Sequence, residues 1–303
     1  MSFDIQQIPS QKGRIAIVTG ANTGLGFETA LALAKKEAKV ILACRNIEKA
    51  KEAVQRIKHE FANADLDVIQ IDLSSLNSVK AFVKNYLAKY NRLDLLINNA
   101  GVMMPPFSET EDGFELQFAA NHLGHFLLTG LLLDVLKSTK NSRVVALSSL
   151  VHKIGKINFD DLQSKQKYSA SEAYGQSKLA CLMFGYEMQR RLEKAGLENP
   201  IAVAAHPGLS LTDLGRHFPK FIYKLLEITL GKIFAQPASQ GAKPTLMAAL
   251  DSNVMGGEYY GPQGFNEMKG KPGKAFSTEL ANDRAIAAKL WEVSEELVGF
   301  SYL

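Results

Sequence analysis

Short runs of Val, Ile, Leu and Ala alternate along the chain with longer stretches of mixed polar and apolar character. Ile15-Ala16-Ile17-Val18, Val40-Ile41-Leu42-Ala43-Cys44, Val68-Ile69-Gln70-Ile71, Leu95-Leu96-Ile97, Val144-Val145-Ala146-Leu147 and Ile201-Ala202-Val203-Ala204 read as strands. The stretches between them predict helices over about 24–36, 47–61, 76–90 and 112–136, and a further one carrying Tyr174. A strand with one wet face would alternate apolar and polar residues. Continuous apolar runs instead imply burial on both faces, hence a parallel sheet covered by helices. The expected class is α/β, a doubly wound parallel sheet. No repeat, linker or low-complexity tract divides residues 1–303, so a single domain is expected. Gly256-Gly257, Gly261-Pro262 and Lys271-Pro272-Gly273 read as loops around a last short strand.

Thr19-Gly20-Ala21-Asn22-Thr23-Gly24-Leu25-Gly26 closes the first strand and opens the first helix. Glycine at such a turn allows tight bending and close approach of backbone to a pyrophosphate, and the helix N-terminus supplies unpaired N–H groups. The first βα turn of a Rossmann-type sheet is where a dinucleotide sits. The candidate phosphate-side residues are therefore Gly20, Asn22, Thr23, Gly24, Leu25 and Gly26. NAD-using folds place an acid at the end of the second strand for the ribose hydroxyls. This chain has Cys44-Arg45-Asn46 there. A guanidinium that grips phosphate oxygens in pairs points to the 2′-phosphate of NADP(H), with Arg45 as its ligand, the other reading being a solvated residue at the helix start.

Composition narrows the classes. The 46% hydrophobic content supports a large core, and the net charge of +4 is spread along the chain with no basic stripe for nucleic acid. The two cysteines, Cys44 and Cys181, stand in no metal-ligand or redox spacing, so both are expected to be reduced core residues. The start of the chain lacks a signal-peptide pattern, and the most apolar helix, near Phe126 to Leu136, is too short to span a bilayer. A cytoplasmic protein with no transmembrane segment is expected. His122, His125, His152 and His206 fall on different elements, which favours packing or capping over metal binding.

Tyr174 and Lys178 stand four residues apart in Tyr174-Gly175-Gln176-Ser177-Lys178. On a helix this spacing puts both side chains on one face. A free phenol titrates near pKa ~10. A cation at ~4 Å, at an effective dielectric of ~20, contributes roughly 4 kcal/mol towards its ionisation. That brings the phenol towards neutrality, where a proton donor works best. The spacing alone also fits a solvated helix face.

Taken together, the chain resembles the short-chain dehydrogenase/reductase family from Thr19 to about Phe300. The motifs are Thr19-Gly20…Gly24-Leu25-Gly26, Asn98-Asn99-Ala100-Gly101, Asn121-His122-Leu123-Gly124-His125-Phe126, Ser148-Ser149, Tyr174…Lys178 and His206-Pro207-Gly208, all in family order. Ala43-Cys44-Arg45-Asn46, the Gly155 to Gln163 loop and Trp291-Glu292-Val293-Ser294 resemble the retinol-dehydrogenase-like branch, to which protochlorophyllide oxidoreductases and WW-domain oxidoreductases are related. The resemblance implies that Tyr174 exchanges a proton with the substrate oxygen. Lys178 would lower the tyrosine's pKa and hold the nicotinamide ribose, and Ser149 would bond the substrate oxygen. Asn121 would bend its helix and anchor a water leading from Lys178. Asp72 and Leu73 would flank the adenine, Asn99, Ala100 and Gly101 would line the cofactor, and Pro207, Gly208 and Thr212 would bracket the nicotinamide. A homo-oligomer is expected by analogy. The membrane anchor of many retinol-type enzymes has no counterpart at the start of the chain, which weakens retinol as the substrate.

Specificity in this architecture comes from segments beyond the carboxyl ends of the strands. Leu209 to Phe234 is dense in Leu, Ile and Phe, so 209–235 is a candidate lid over a bulky apolar substrate, with packing on the core as the other reading. Lys220, Lys224 and Lys232 on that stretch would also suit an anionic membrane surface. Three functions follow: NADP(H)-dependent interconversion of a carbonyl and an alcohol, an NADPH-binding regulator without turnover, and reduction of an activated C=C bond. The intact Asn121, Ser149, Tyr174 and Lys178 set favours the first.

Overall fold

Ala16 and Val18 face one side of the first strand and Ile17 the other, and all three are fully buried. This double burial is why the strand runs carry no polar alternation. The computed structural model describes residues 3–210 and 236–303. Its strands are β1 (Ile15–Thr19), β2 (Lys39–Cys44), β3 (Leu66–Gln70), β4 (Leu95–Asn98), β5 (Arg143–Leu147), β6 (Ile201–Ala205), β7 (Tyr259–Pro262) and β8 (Pro272–Lys274). Among the described residues they form one sheet in the order β3-β2-β1-β4-β5-β6-β7-β8. All pairings are parallel except β7 with β8. The order reverses between β1 and β4, and the crevice of such a sheet opens at the carboxyl ends of those strands.

Helices cover both faces. Ile17, Ile41, Leu96 and Val144 pack towards α3 (Leu76–Leu87), α5 (Gly124–Leu131), α7 (Ala170–Lys194) and α10 (Arg284–Val298). Ala16, Val18, Leu42 and Ile97 pack towards α1 (Gly24–Lys35), α2 (Ile47–Glu60) and α9 (Lys243–Leu250), which follows the short α8 (Ala238–Gly241). At the end of the first layer, Trp291 stacks on Phe184 at 5.8 Å and meets Phe126 and Tyr302 edge-on or tilted at 4.8 Å each. Tyr302 Oη donates to the Phe126 carbonyl at 2.9 Å, so the last residues are fastened to α5.

Two expectations need correction. The helix expected over 112–136 is segmented: α4 (Leu116–Phe118) widens into a π-helical turn over Ala119–Leu123, then continues as α5 and α6 (Leu133–Ser138). Asn121 lies inside that turn, and its carbonyl accepts from His125 Nδ1 at 2.9 Å and Cys181 Sγ at 3.1 Å. Side chains thus meet a carbonyl that a regular ladder would have used, which is one way a helix accommodates an extra residue. The Gly/Pro-rich stretch near 256–273 holds two strands, not one. β7 and β8 make an antiparallel hairpin with Pro262 opposite Pro272, and proline is tolerated at such an edge because no ladder donor is needed there. Both cysteines are free and buried. Among the described residues no helix is long and apolar enough to cross a membrane. Thr212 and residues 211–235 of the expected lid lie outside the described residues.

Candidate active site

A cavity of about 340 Å³ runs along the carboxyl ends of β1, β2, β4 and β5. That volume is within the range of small-molecule sites. One end is walled by Arg45, Asn46 and Lys49, the middle by the glycine turn, and the other end by Ser149, Tyr174, Lys178 and Pro207.

The glycine turn is shaped by backbone. Gly20 (φ +67°) and Gly24 (φ +55°) occupy the left-handed region. A Cβ on Gly26 would lie 2.4 Å from the Gly20 carbonyl oxygen, so only glycine lets α1 start this close to β1. Thr19 ties the turn to the next wall. Its hydroxyl accepts from Asn99 N and Ala100 N, both at 2.9 Å, and its carbonyl accepts from Asn99 Nδ2 at 2.7 Å. Asn22, Thr23, Leu25, Asn99, Ala100 and Gly101 all line the cavity. Cys44 also lines it, and burial pushes its thiol up to about 11 despite backbone hydrogen bonds at Ala21 and Asn22. It is a neutral thiol rather than a nucleophile.

Arg45 follows β2, with its side chain 63% exposed and Nη1 3.8 Å from Asp72 Oδ2. The other Asp72 oxygen accepts from Ser74 N and Ser74 Oγ, at 3.0 and 2.6 Å. Asp72 therefore stands beside the guanidinium, and both Asp72 and Leu73 line the cavity. Asn46 Oδ1 caps α2 by accepting from Lys49 N at 2.9 Å, which places the Lys49 side chain on the same wall as Arg45. Lys49 is absent from the sequence-derived site. The four-residue spacing from Arg45 was the available signal.

At the opposite end, Ser149 begins the turn after β5, and among the described residues only a long contact from Val151 N, at 3.4 Å, engages its hydroxyl. The loop that follows returns against α7. A Cβ on Gly155 would lie 2.3 Å from the Gly175 carbonyl oxygen, and this close approach sets Tyr174 beside the serine turn. Ser169 caps α7. Tyr174 is 4% exposed and Lys178 5% exposed, and both reach the cavity wall. Lys178 Nζ lies 6.0 Å from the centre of the Tyr174 ring and donates to the Leu147 carbonyl at 3.1 Å. A buried ammonium needs such polar contacts.

Asn121 stands behind this wall rather than in it. Its Nδ2 donates to the Val102 carbonyl at 3.0 Å and to Ser177 Oγ at 2.9 Å, and its Oδ1 accepts from Val102 N at 2.8 Å. His125, expected only to pack or cap, joins the two halves of the site: Nδ1 donates to the Asn121 carbonyl and Nε2 meets Thr19 Oγ1 at 2.9 Å. A carbonyl can only accept, so the proton is on Nδ1 and Thr19 donates to Nε2. Burial, reinforced by the charge of Lys178 and opposed by the Asn121 hydrogen bond, brings this imidazole down to about 4 and keeps it neutral. Pro207 lines the cavity, and Gly208 N, next to it, donates to His206 Nδ1 at 3.2 Å. Among the described residues no group of three His, Cys, Asp or Glu side chains converges in a way that could hold a metal.

A family model described as short chain dehydrogenase matches residues 14–221. Mouse retinol dehydrogenase 12 is 42% identical over 98% of this chain and 89% of its own length. Human retinol dehydrogenase 13 is 43% identical over 95% of this chain and 85% of its own. Among solved structures, an uncharacterised protein of Mycobacterium paratuberculosis superposes with a TM-score of 0.83 at 37% identity, over the whole of both chains. The RhlG/NADP complex of Pseudomonas aeruginosa shares the fold, with a TM-score of 0.66 at 24% identity over 82% of this chain and 94% of that one. The chain belongs to the short-chain dehydrogenase family of carbonyl/alcohol oxidoreductases, in its retinol-dehydrogenase-like branch.

Proposed function

We propose that the protein is an NADP(H)-dependent reductase or dehydrogenase acting on a bulky apolar carbonyl or alcohol. One observation carries this reading: a single cavity holds Arg45 and Lys49 at one end and Ser149, Tyr174 and Lys178 at the other. The lining fits a phosphorylated dinucleotide, with two cations at the β2 end, backbone N–H groups at the start of α1 and no acid directly after β2. NADPH, when bound, supplies the hydride.

The remaining steps belong to this chain. Ser149 Oγ donates a hydrogen bond to the substrate oxygen, where negative charge develops as hydride arrives. Tyr174 Oη gives that oxygen its proton, and in the reverse direction removes it. The Lys178 ammonium favours the charge left on the phenol oxygen. Asn121 keeps the Val102 backbone and Ser177 in register behind the wall. Ile154 and Leu209 are large exposed apolar side chains shortly after Ser149 and Pro207 in the chain, and the exposed Phe265 and Phe276 lie at the β7–β8 hairpin, whose connecting Met268 carbonyl accepts from Leu209 N. They support a substrate with apolar bulk.

The test is consumption of NADPH and NADH against aldehydes, ketones, quinones and enones, retinal included, with product analysis for the enones. NADPH-linked loss of an aldehyde or ketone carbonyl is the expected result, and turnover of only the C=C bond would replace the reading. Arg45→Ala removes charge-assisted hydrogen bonds, each about 1.5–3 kcal/mol. It should raise the KM for NADPH about 10- to 100-fold and leave that for NADH nearly unchanged. Equal kcat/KM for both cofactors in the wild type would remove the NADP assignment.

A further inference from the structure

Outside the cavity, a second cluster of ionisable groups joins the turn after Ser149 to the turn of Pro207 and Gly208. Its centre is Glu267, in the short 3₁₀ turn Phe265–Glu267 between β7 and β8. Asn266 (φ +47°) and Glu267 (φ +57°) are consecutive non-glycine residues in the left-handed region. Asparagine tolerates that conformation, but glutamate adopts it rarely and only where the surroundings over-determine it.

The surroundings do so. Glu267 Oε1 accepts from Phe276 N at 2.7 Å, and Oε2 pairs with Lys153 Nζ at 2.9 Å. Lys153 belongs to the turn that Ser149 opens, and its neighbour His152 donates from Nδ1 to the Ser149 carbonyl at 2.7 Å. On the other side, Met268 O accepts from Leu209 N at 2.7 Å, and a Cβ on Gly208 would lie 2.3 Å from that same oxygen. His206 Nε2 lies 3.8 Å from Glu267 Oε2. Both imidazoles pack on Tyr259, at 5.6 Å for His152 and 5.1 Å for His206.

The tautomers add a chemical complementarity. His152 carries its proton on Nδ1, because it bonds a carbonyl, so its Nε2 is an acceptor. His206 accepts at Nδ1 from Gly208 N, so its Nε2 is a donor. Both Nε2 atoms are buried without a partner among the described residues.

We infer that Glu267 is a positioning residue: with Lys153, His152 and His206 it holds the Ser149 turn and the Pro207-Gly208 turn at one spacing, and so sets the substrate oxygen against the nicotinamide. The inference rests on the reading of Ser149 and Pro207-Gly208 given above. Glu267→Gln keeps the shape and the bond from Phe276 N but removes the charge that Lys153 pairs with. Lys153→Met removes the pair from its more exposed side. Each should lower kcat for an apolar aldehyde about tenfold, with the NADPH dissociation constant, measured by fluorescence, within about twofold of wild type. The double variant should lose no more than either single one, because both remove the same link.

A merely structural role would lower the melting temperature and leave kcat, measured well below it, at the wild-type value. That result overturns the inference, as would additive losses in the double variant. If Glu267→Gln fails to fold, Glu267→Gly, which the backbone conformation favours, and Lys153→Met carry the comparison. A wild type without carbonyl reduction overturns the underlying reading as well. A wild type that turns over beside variants of unchanged kcat overturns this inference alone.

Discussion

Tyr174→Phe is expected to lower kcat for carbonyl reduction by about 10²- to 10⁴-fold, the usual contribution of a positioned general acid. The ring is 4% exposed and packed in the wall, so the substitution removes one oxygen and leaves the cavity's shape. NADPH binding should therefore survive within about threefold. Phenylalanine can neither donate to the substrate oxygen nor leave a charge for Lys178, whose ammonium lies 6.0 Å from the ring centre. Single-turnover reduction of an aldehyde, with cofactor affinity measured separately by fluorescence, separates the two effects. A variant that turns over at near wild-type rate would remove Tyr174 from the chemistry, and the site would need another proton donor.

Acid should destabilise the fold steeply and earlier than its carboxylates can account for. Burial holds the imidazoles of His122, His125 and His206 down at about 3, 4 and 3, with the charge of His125 adding to the effect on His122 and that of His152 to the effect on His206. In the unfolded chain each titrates near 6.5. Below that pH the unfolded state binds protons that the native state refuses, so stability falls as pH falls from 6.5 towards 4. The slope approaches about 1.4 kcal/mol per pH unit for each histidine, or roughly 4 kcal/mol per unit for the three. Between pH 6.5 and 5 the loss is roughly 5 kcal/mol, comparable with the whole stability of many domains.

Asp94 acts later. Burial opposes its ionisation, but hydrogen bonds from Arg92 and Ile15 N outweigh this and hold it below the ordinary range. Its contribution is lost only below about pH 4. Urea midpoints at pH 7.5, 6.5, 5.5 and 5.0 should fall in step, and His122→Gln should flatten the profile by about a third. A midpoint constant from pH 6.5 to 5 would contradict the assignment.

The sheet was legible because its strands are buried on both faces: Ile15-Ala16-Ile17-Val18 can be little else than a covered parallel strand. The glycine wall of the cavity was legible because the tight turn demands left-handed backbone at Gly20 and Gly24, and Arg45, expected at the site, does line the cavity. Three features were not legible. The resemblance placed a bend at Asn121, but periodicity in Ala119–Leu123 does not distinguish a π turn from an ordinary one, because the turn depends on Asn121, His125 and Cys181 meeting across two helices. Lys49 reads as one more solvated helix lysine until the Asn46 cap fixes where α2 begins. His125 looks like core packing until Thr19 and Asn121, far apart in sequence, are seen on its two nitrogens. The π turn and the His125 link are long-range arrangements, which local periodicity does not record, and the Lys49 placement turns on a local cap.

The chain's single tryptophan, Trp291, is 2% exposed and wedged among Phe126, Phe184 and Tyr302, with the Arg191 guanidinium 4.8 Å from its ring. His122 packs on two of the same rings. Indole emission from this protein therefore has one origin, inside the layer that carries α7 and α10. Its colour and intensity can follow loss of that layer during an acid titration without any added dye, in the same cuvette where the cofactor is added or withheld.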